Sequence, residues 1–217
     1  MLFSQRFDKI EIMINYPHKK TTPTTTKDRR ENNEKKTNFG KRGMSFEAQI
    51  VKTNEYYLAS KIAVIHKKPT PIQIVKVDYP KRSAATITEA YFKTPSTTDF
   101  NGVYKKIYID FEAKETTNKT TFPLANIHPH QIKHLKAVTE QGGFAFLMVK
   151  FVAFDEIYLL MSDTLQQFWK EYDSGKRKSI KYEEFKKYGT LIPSNTYPSV
   201  DYLKTIDQLL KKGGKST

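Results

Sequence analysis

Two carboxylates and a lysine stand close together near the middle of the chain. They are Asp99, in Pro95-Ser-Thr-Thr-Asp99, and Glu112 and Lys114, in Ile109-Asp-Phe-Glu-Ala-Lys114. Carboxylates are hard oxygen ligands, and Mg²⁺ is held by one or two of them with waters completing its shell. An ammonium beside such a pair can hold a water or a phosphate oxygen and offset negative charge as it builds in a transition state. Side chains alternate along an extended strand. Glu112 and Lys114 therefore share a face with Tyr108 and Asp110, while Ile107, Ile109, Phe111 and Ala113 line the other. The same spacing also describes a strand with one solvated face. Asp110 reads more readily as a surface carboxylate than as a third ligand.

Whether Asp99 meets Glu112 depends on a turn. A two-residue hairpin at Lys105-Lys106 would set Asp99 opposite Glu112 and Thr97 opposite Lys114, bringing four polar groups to one face. Asn101-Gly102 is chemically the stronger hairpin dipeptide, and it would pair Asp99 with Tyr104 instead. Both registers are open at this level. Gln131 shares a helical stripe with Leu135 and Val138 and so points inward, where an amide must find a partner. That partner is either a metal ion at its carbonyl or the backbone. His130 and His134, four residues apart, have zinc-ligand spacing, but with no third ligand nearby they read as surface positions of a helix.

The elements that must position these residues are legible in outline. Ser45 can cap a helix whose apolar positions Phe46, Ile50, Tyr57 and Leu58 recur at helical spacing. A β-rich stretch at residues 62–65 follows, Pro69 and Pro71 break it, and residues 72–77 alternate as a strand. Residues 103–114 alternate again. His128 precedes Pro129, a suitable first helical residue, and the helix should run to about Gln141, where Gly142 and Gly143 stop it. Residues 144–151 suit a central strand and residues 156–161 another. Ser162 can cap a helix carrying Leu165, Phe168, Trp169 and Tyr172, and two further short helices follow Ser179 and Ser199. This order predicts an α/β fold, a mixed β-sheet flanked by helices. No internal repeat is visible.

Charge points to the partner. The 217 residues carry 37 Lys and Arg against 23 Asp and Glu, a formal net charge of +14. Such an excess indicates nucleic acid first and an anionic membrane surface second, and by itself it also fits a purely structural RNA binder. The chain has no cysteine, which excludes disulfides, thiolate metal sites and thiol nucleophiles. No segment reaches the length of an apolar membrane span. Arg6, Asp8, Lys9 and Glu11 leave no apolar signal-peptide core, so a cytoplasmic protein is expected. Residues 19–42 hold nine basic and three acidic residues with almost nothing apolar, the composition of a disordered basic arm. Residues 67–93 carry six basic and two acidic residues and are a candidate basic protrusion. The expected organisation is an arm over residues 1–42, one domain over 43–212 and a disordered tail over 213–217. Arg42, Lys67, Lys68, Lys81 and Arg82 are candidate contacts to DNA phosphates.

Several stretches together resemble the RecU Holliday junction resolvases of Gram-positive bacteria. They are Ile62-Ala-Val-Ile-His-Lys-Lys-Pro-Thr-Pro-Ile72, Asp78-Tyr-Pro-Lys-Arg-Ser83, Glu89-Ala-Tyr-Phe92, Ser96-Thr-Thr-Asp99, Asn101-Gly-Val-Tyr104, Ile109-Asp-Phe-Glu-Ala-Lys-Glu115 and His130-Gln131. The resemblance is near-continuous from about Gly43 to Leu209. Asn15-Tyr-Pro17 resembles the usual beginning of that family, so the twelve residues before Met13 read as an upstream extension. It implies a restriction-endonuclease-like core of the PD-(D/E)xK superfamily. It also implies an Mg²⁺-dependent nuclease that cuts four-way branched DNA symmetrically as a homodimer, with a basic stalk within about residues 67–93. The family's Mg²⁺ ligands carry over to Thr97, Asp99, Glu112 and Gln131, and its transition-state-stabilising lysine to Lys114. Glu47 is an auxiliary acidic candidate. Lys105-Lys106 departs from the family where a glycine is common. A further role in modulating a RecA-type recombinase is implied. The rival expectations are a non-catalytic branched-nucleic-acid binder and a recombinase-modulating adaptor.

Overall fold

The computed structural model describes residues 44–78, 85–92, 97–194 and 197–213. The arm expected over residues 1–42 and the pair Lys81 and Arg82 lie outside them. The described residues fall in one compact unit, Lys41–Thr217.

Helix α1 (Phe46–Ala59) starts at Ser45, whose hydroxyl accepts from the Ala48 N–H as an N-cap should. The strands are β1 (Val64–Lys67), β2 (Ile72–Asp78), β3 (Thr86–Phe92), β4 (Phe100–Tyr104), β5 (Ile107–Thr116), β6 (Thr121–Pro123), β7 (Phe144–Phe151), β8 (Glu156–Met161), β9 (Ser179–Lys181) and β10 (Thr190–Ile192). Between them lie α2 (Pro129–Glu140), α3 (Ser162–Asp173) and α4 (Tyr182–Tyr188), and α5 (Tyr202–Gly213) follows. The main sheet has the order β1-β4-β5-β7-β8-β10. It is mixed: β5 and β7 are parallel and every other neighbouring pair is antiparallel. The α/β fold with a mixed sheet flanked by helices is thus the one expected.

Several boundaries differ from the sequence reading. Ser162 is the first residue inside α3 and does not cap it; Met161 is the residue before the helix. The alternating run over residues 103–114 is two strands. Lys105 and Lys106 both take positive φ (48° and 69°), the geometry of a type I′ turn between β4 and β5. The end of α5 already includes Gly213, where a tail was expected.

The two faces of the sheet bury separate cores. On one, α1 and α5 cover Phe111, Phe146, Met148 and Leu159. Phe111 stacks between Phe100 and Phe146, with ring centroids 4.9 and 4.8 Å apart. Fully burying a side chain of this size contributes about 2–3 kcal/mol. On the other face, α2, α3 and α4 cover Leu147, Val149, Tyr158 and Leu160. Here β5 departs from the apolar pattern and presents Asp110, Glu112 and Lys114 instead.

β2 and β3 form a separate two-stranded antiparallel ribbon. Its described strands are not basic: they carry Lys76 against Asp78 and Glu89. They expose Ile72, Ile74, Val75, Ile87, Tyr91 and Phe92, so apolar surface is the ribbon's leading property there. Among the described residues no helix is long and apolar enough to cross a membrane.

Candidate active site

The turn at Lys105-Lys106 decides the site. The β4/β5 ladder pairs Tyr104 with Ile107 and Phe100 with Phe111, so the next position sets Asp99 opposite Glu112. The competing Asn101-Gly102 pair lies inside β4, where Asn101 faces Asp110 and Gly102 faces Ile109. The glycine serves close approach there. A Cβ on Gly102 would come 2.1 Å from the Val64 carbonyl oxygen and 2.5 Å from Ile65 Cα on β1. Only glycine lets the two backbones pair.

Glu112 is fully buried on the face covered by α2. Neither of its oxygens receives a well-formed hydrogen bond, and the Lys114 ammonium stands 2.5 Å from Oε1 as an ion pair. Burial first, and the nearby Asp99 charge second, push the Glu112 carboxyl up to about 7 against the pull of Lys114. Asp99 Oδ2 accepts from the Ala113 N–H at 3.0 Å, which ties that carboxylate to the strand bearing Glu112. A solvated face on β5 is therefore excluded: two acids and a lysine converge in an enclosed, polar setting.

Thr97 does not continue the ladder opposite Lys114, because β4 begins at Phe100. Its hydroxyl accepts from Lys68 at 3.0 Å. Gln131 is buried, and its amide oxygen accepts from the His128 N–H at 2.9 Å, closing the start of α2. The backbone partner is thus realised, and a second lone pair on that oxygen remains. β5 and β7 are parallel, so α2 runs back between them. Gln131, one turn before His134, therefore falls on the Glu112 side of Asp110.

Asp110 is not a surface carboxylate. It is fully buried and is surrounded by donors: Lys68 (2.7 Å), Tyr108 (2.8 Å) and His134 (3.0 Å) to Oδ2, and Thr98 to Oδ1. Burial alone would raise its pKa, but the hydrogen bonds from Lys68, Thr98 and His134 outweigh it and hold the carboxyl below its ordinary value. His134 is likewise no free surface histidine, whereas His130 stacks on His128. The sequence signal for this cluster was position: Tyr108 and Asp110 share the face of Glu112. Lys68 and His134 come from other elements and carried no such signal.

Lys67 ion-pairs with Glu47 on α1 at 2.6 Å, near the surface, so the auxiliary acid is engaged by a neighbouring cation. Lys68 is turned inward, with only 14% of its side chain exposed. Arg42, Lys81 and Arg82 lie outside the described residues. Among the described residues no group of three or more His, Asp or Glu surrounds a common point. A hard ion satisfied by two carboxylates, an amide or hydroxyl oxygen and several waters needs none. The Glu112 carboxylate, ion-paired with Lys114 but accepting no hydrogen bond, and the Asp99 carboxylate beside it suit such an ion.

A mixed α/β domain with an acid–lysine site on its central hairpin is the class that fold and site define. The family model for Recombination protein U (RecU) matches residues 41–208. Proteins named Holliday junction resolvase RecU from Bacillus thuringiensis (strain Al Hakam) and Bacillus anthracis are 56% identical over 173 residues, covering 80% of this chain and 86% of theirs. The solved structure of Hjc, a Holliday junction resolvase from Archaeoglobus fulgidus, is a remote likeness: 13% identity, a TM-score of 0.29, 42% of this chain and 66% of that one. The chain belongs to the RecU family.

Proposed function

We propose that this chain is a Holliday junction resolvase, a crossover junction endodeoxyribonuclease that nicks four-way branched DNA by phosphodiester hydrolysis in recombination and repair. The observation that carries the chemistry is the buried Glu112 beside Asp99 with Lys114 at 2.5 Å. Family membership supplies the substrate class. The core is read as restriction-endonuclease-like, with Mg²⁺ as the ion and the cytoplasm as the place of action.

Asp99 and Glu112 would hold the ion, with Thr97 and Gln131 offering neutral oxygens at its edge. When bound, Mg²⁺ supplies Lewis acidity at the scissile phosphate and a more acidic water. The protein's own groups do the rest. The Ala113 N–H fixes Asp99 against β5. Lys114 offers the ammonium that offsets charge building on phosphorus, since Lys68 is turned away to Asp110. Water attacks phosphorus directly and one strand is broken, with no covalent enzyme intermediate. Two equivalent strands of a junction call for two equivalent sites, so a twofold homodimer is the working assembly. A RecA-type recombinase is a further proposed partner.

The deciding experiment incubates the protein with a synthetic four-way junction and Mg²⁺. Paired nicks at symmetric positions are expected, and Ca²⁺ should support binding without cutting. Tight binding with no nicks at saturating Mg²⁺ would leave a non-catalytic junction binder or an adaptor.

Junction selectivity must come from shape, because every duplex offers phosphates. The ribbon of β2 and β3 is the proposed stalk that enters the open centre of the junction. Lys81 and Arg82, which lie between its strands in the sequence, are the proposed phosphate contacts. Neutralising both is expected to weaken junction binding more than duplex binding at one fixed salt concentration, with Mg²⁺ binding unchanged. A proportional loss on both substrates would remove the selectivity role. The basic arm over residues 1–42 is proposed to contact DNA phosphates.

A further inference from the structure

The Lys68 ammonium reaches three oxygens at once. It donates to Thr97 Oγ1 (3.0 Å), Thr98 Oγ1 (2.6 Å) and Asp110 Oδ2 (2.7 Å), which engages all three of its N–H donors. His134 Nε2 lies 3.4 Å away. The Lys68 backbone N–H donates to the Asp99 carbonyl at 2.7 Å. One residue thus holds every member of the Thr97-Thr98-Asp99 segment. Beneath it Asp110, fully buried, is itself fixed by Thr98, Tyr108 and His134, so the anchor is rigid. A lysine with all its donors engaged inside the protein has none left for a DNA phosphate.

The place of this contact in the chain matters as much as its geometry. β1 ends at Lys67, and Lys68 leads through Pro69 and Pro71 into the ribbon strand β2. The second ribbon strand ends at Phe92, and the chain reaches Thr97 five residues later. The Lys68 bonds to Thr97 and Thr98 therefore tie together the two ends of the chain that enters and leaves the ribbon. Asp99, with its carboxylate on the Ala113 N–H, comes immediately after.

We infer that Lys68 is a positioning residue: anchored on Asp110, it holds the Thr97-Thr98-Asp99 segment so that Asp99 and Thr97 present their oxygens to the divalent ion in register with Glu112. This rests on the nuclease reading and adds to it a residue that touches neither DNA nor metal. Reacting groups tolerate little displacement; an error of about 1 Å can lower a rate by about 10²-fold. An acid on a loop needs such a hold, whereas Glu112 and Lys114 are held by the central strand itself.

Removing Lys68 alone would strand Asp110 in the interior, so the test changes both, as Lys68→Met with Asp110→Asn. Asparagine keeps an oxygen for Tyr108 and His134, and its amide N–H can donate to the Thr98 hydroxyl, which no longer accepts from Lys68. A thermal melt first establishes that the variant is folded. Isothermal titration with Mg²⁺, without DNA, should then show metal affinity weakened by about tenfold, 1.4 kcal/mol. Single-turnover cleavage of a four-way junction should slow by about 10²-fold. Junction Kd, measured in Ca²⁺, should stay within about twofold of wild type, because no phosphate contact is lost. A weakened Kd with an unchanged single-turnover rate would make Lys68 a DNA contact and overturn the inference. A folded variant with unchanged metal affinity would overturn it as well. Should the wild type fail to nick the junction, the nuclease reading falls, while the metal titration still decides whether Lys68 positions the acids.

Discussion

Glu112→Gln is expected to abolish junction cleavage while making the metal-free protein more stable at neutral pH. The cleavage loss should be about 10³-fold or more, the rate equivalent of several kcal/mol of charge stabilisation. The stability gain follows from where Glu112 sits. Its carboxyl is fully buried beside Asp99, and its pKa is pushed from 4.5 up to about 7. Below about pH 4.5 folded and unfolded chains both hold the proton, and the group favours neither. As pH rises toward 7 the unfolded chain ionises first, so the folded state loses stability across that window. The loss levels off above about pH 7 at a size on the order of 2–3 kcal/mol. Glutamine keeps the shape and cannot ionise. In chelator, the variant should therefore match wild type near pH 4 and melt roughly 4–12 °C higher at pH 8. Saturating Mg²⁺ should raise the wild-type midpoint and leave the variant where it was, since only an ionised carboxylate gains from the ion. Equal midpoints at pH 8 in chelator would refute the raised pKa. Retained cleavage would refute the site.

Gly102→Ala is expected to cost the fold about 3 kcal/mol or more, a large effect for one added methyl group. A Cβ there meets the Val64 carbonyl oxygen at 2.1 Å, Ile65 Cα at 2.5 Å and Ile65 Cγ1 at 2.8 Å. Two of these three atoms are backbone, so no rotamer change relieves the overlap. The β1/β4 pairing must open instead. Because β1 ends one residue before Lys68, the same displacement should loosen the Thr97-Thr98-Asp99 segment and reduce cleavage even at temperatures where the variant is folded. Urea unfolding reads the first effect and single-turnover cleavage at 15 °C the second. A variant with wild-type stability would show that β1 does not approach β4 this closely.

Strand β5 and its two faces followed from alternation alone, and β7, β8 and helix α2 followed from apolar runs, Pro129 and the glycine stop, because such patterns depend on neighbours along the chain. The pairing of Asp99 with Glu112 was half legible. Local chemistry favoured a turn at Asn101-Gly102, yet the fold uses Gly102 to admit β1 and places the turn at Lys105-Lys106. A dipeptide carries no record of which strand will pack beside it.

Spacing alone could not separate a solvated face from an enclosed one. The alternation of Tyr108, Asp110, Glu112 and Lys114 was fixed by the residues themselves; their burial depended on α2 lying across them. The roles of Lys68 and His134 likewise belong to the tertiary structure, because 42 and 24 residues separate them from the carboxylate they both serve. The amino-acid sequence by itself determined that Glu112 and Lys114 would share one face of a strand in a basic α/β protein, with Asp99 close by in the chain. Only the packing of β1 beside β4 and of α2 across β5 decided which charges are desolvated and which donors reach them: desolvation raises Glu112, whereas hydrogen bonds from Lys68, Thr98 and His134 overcome it at Asp110 and hold that carboxylate ionised.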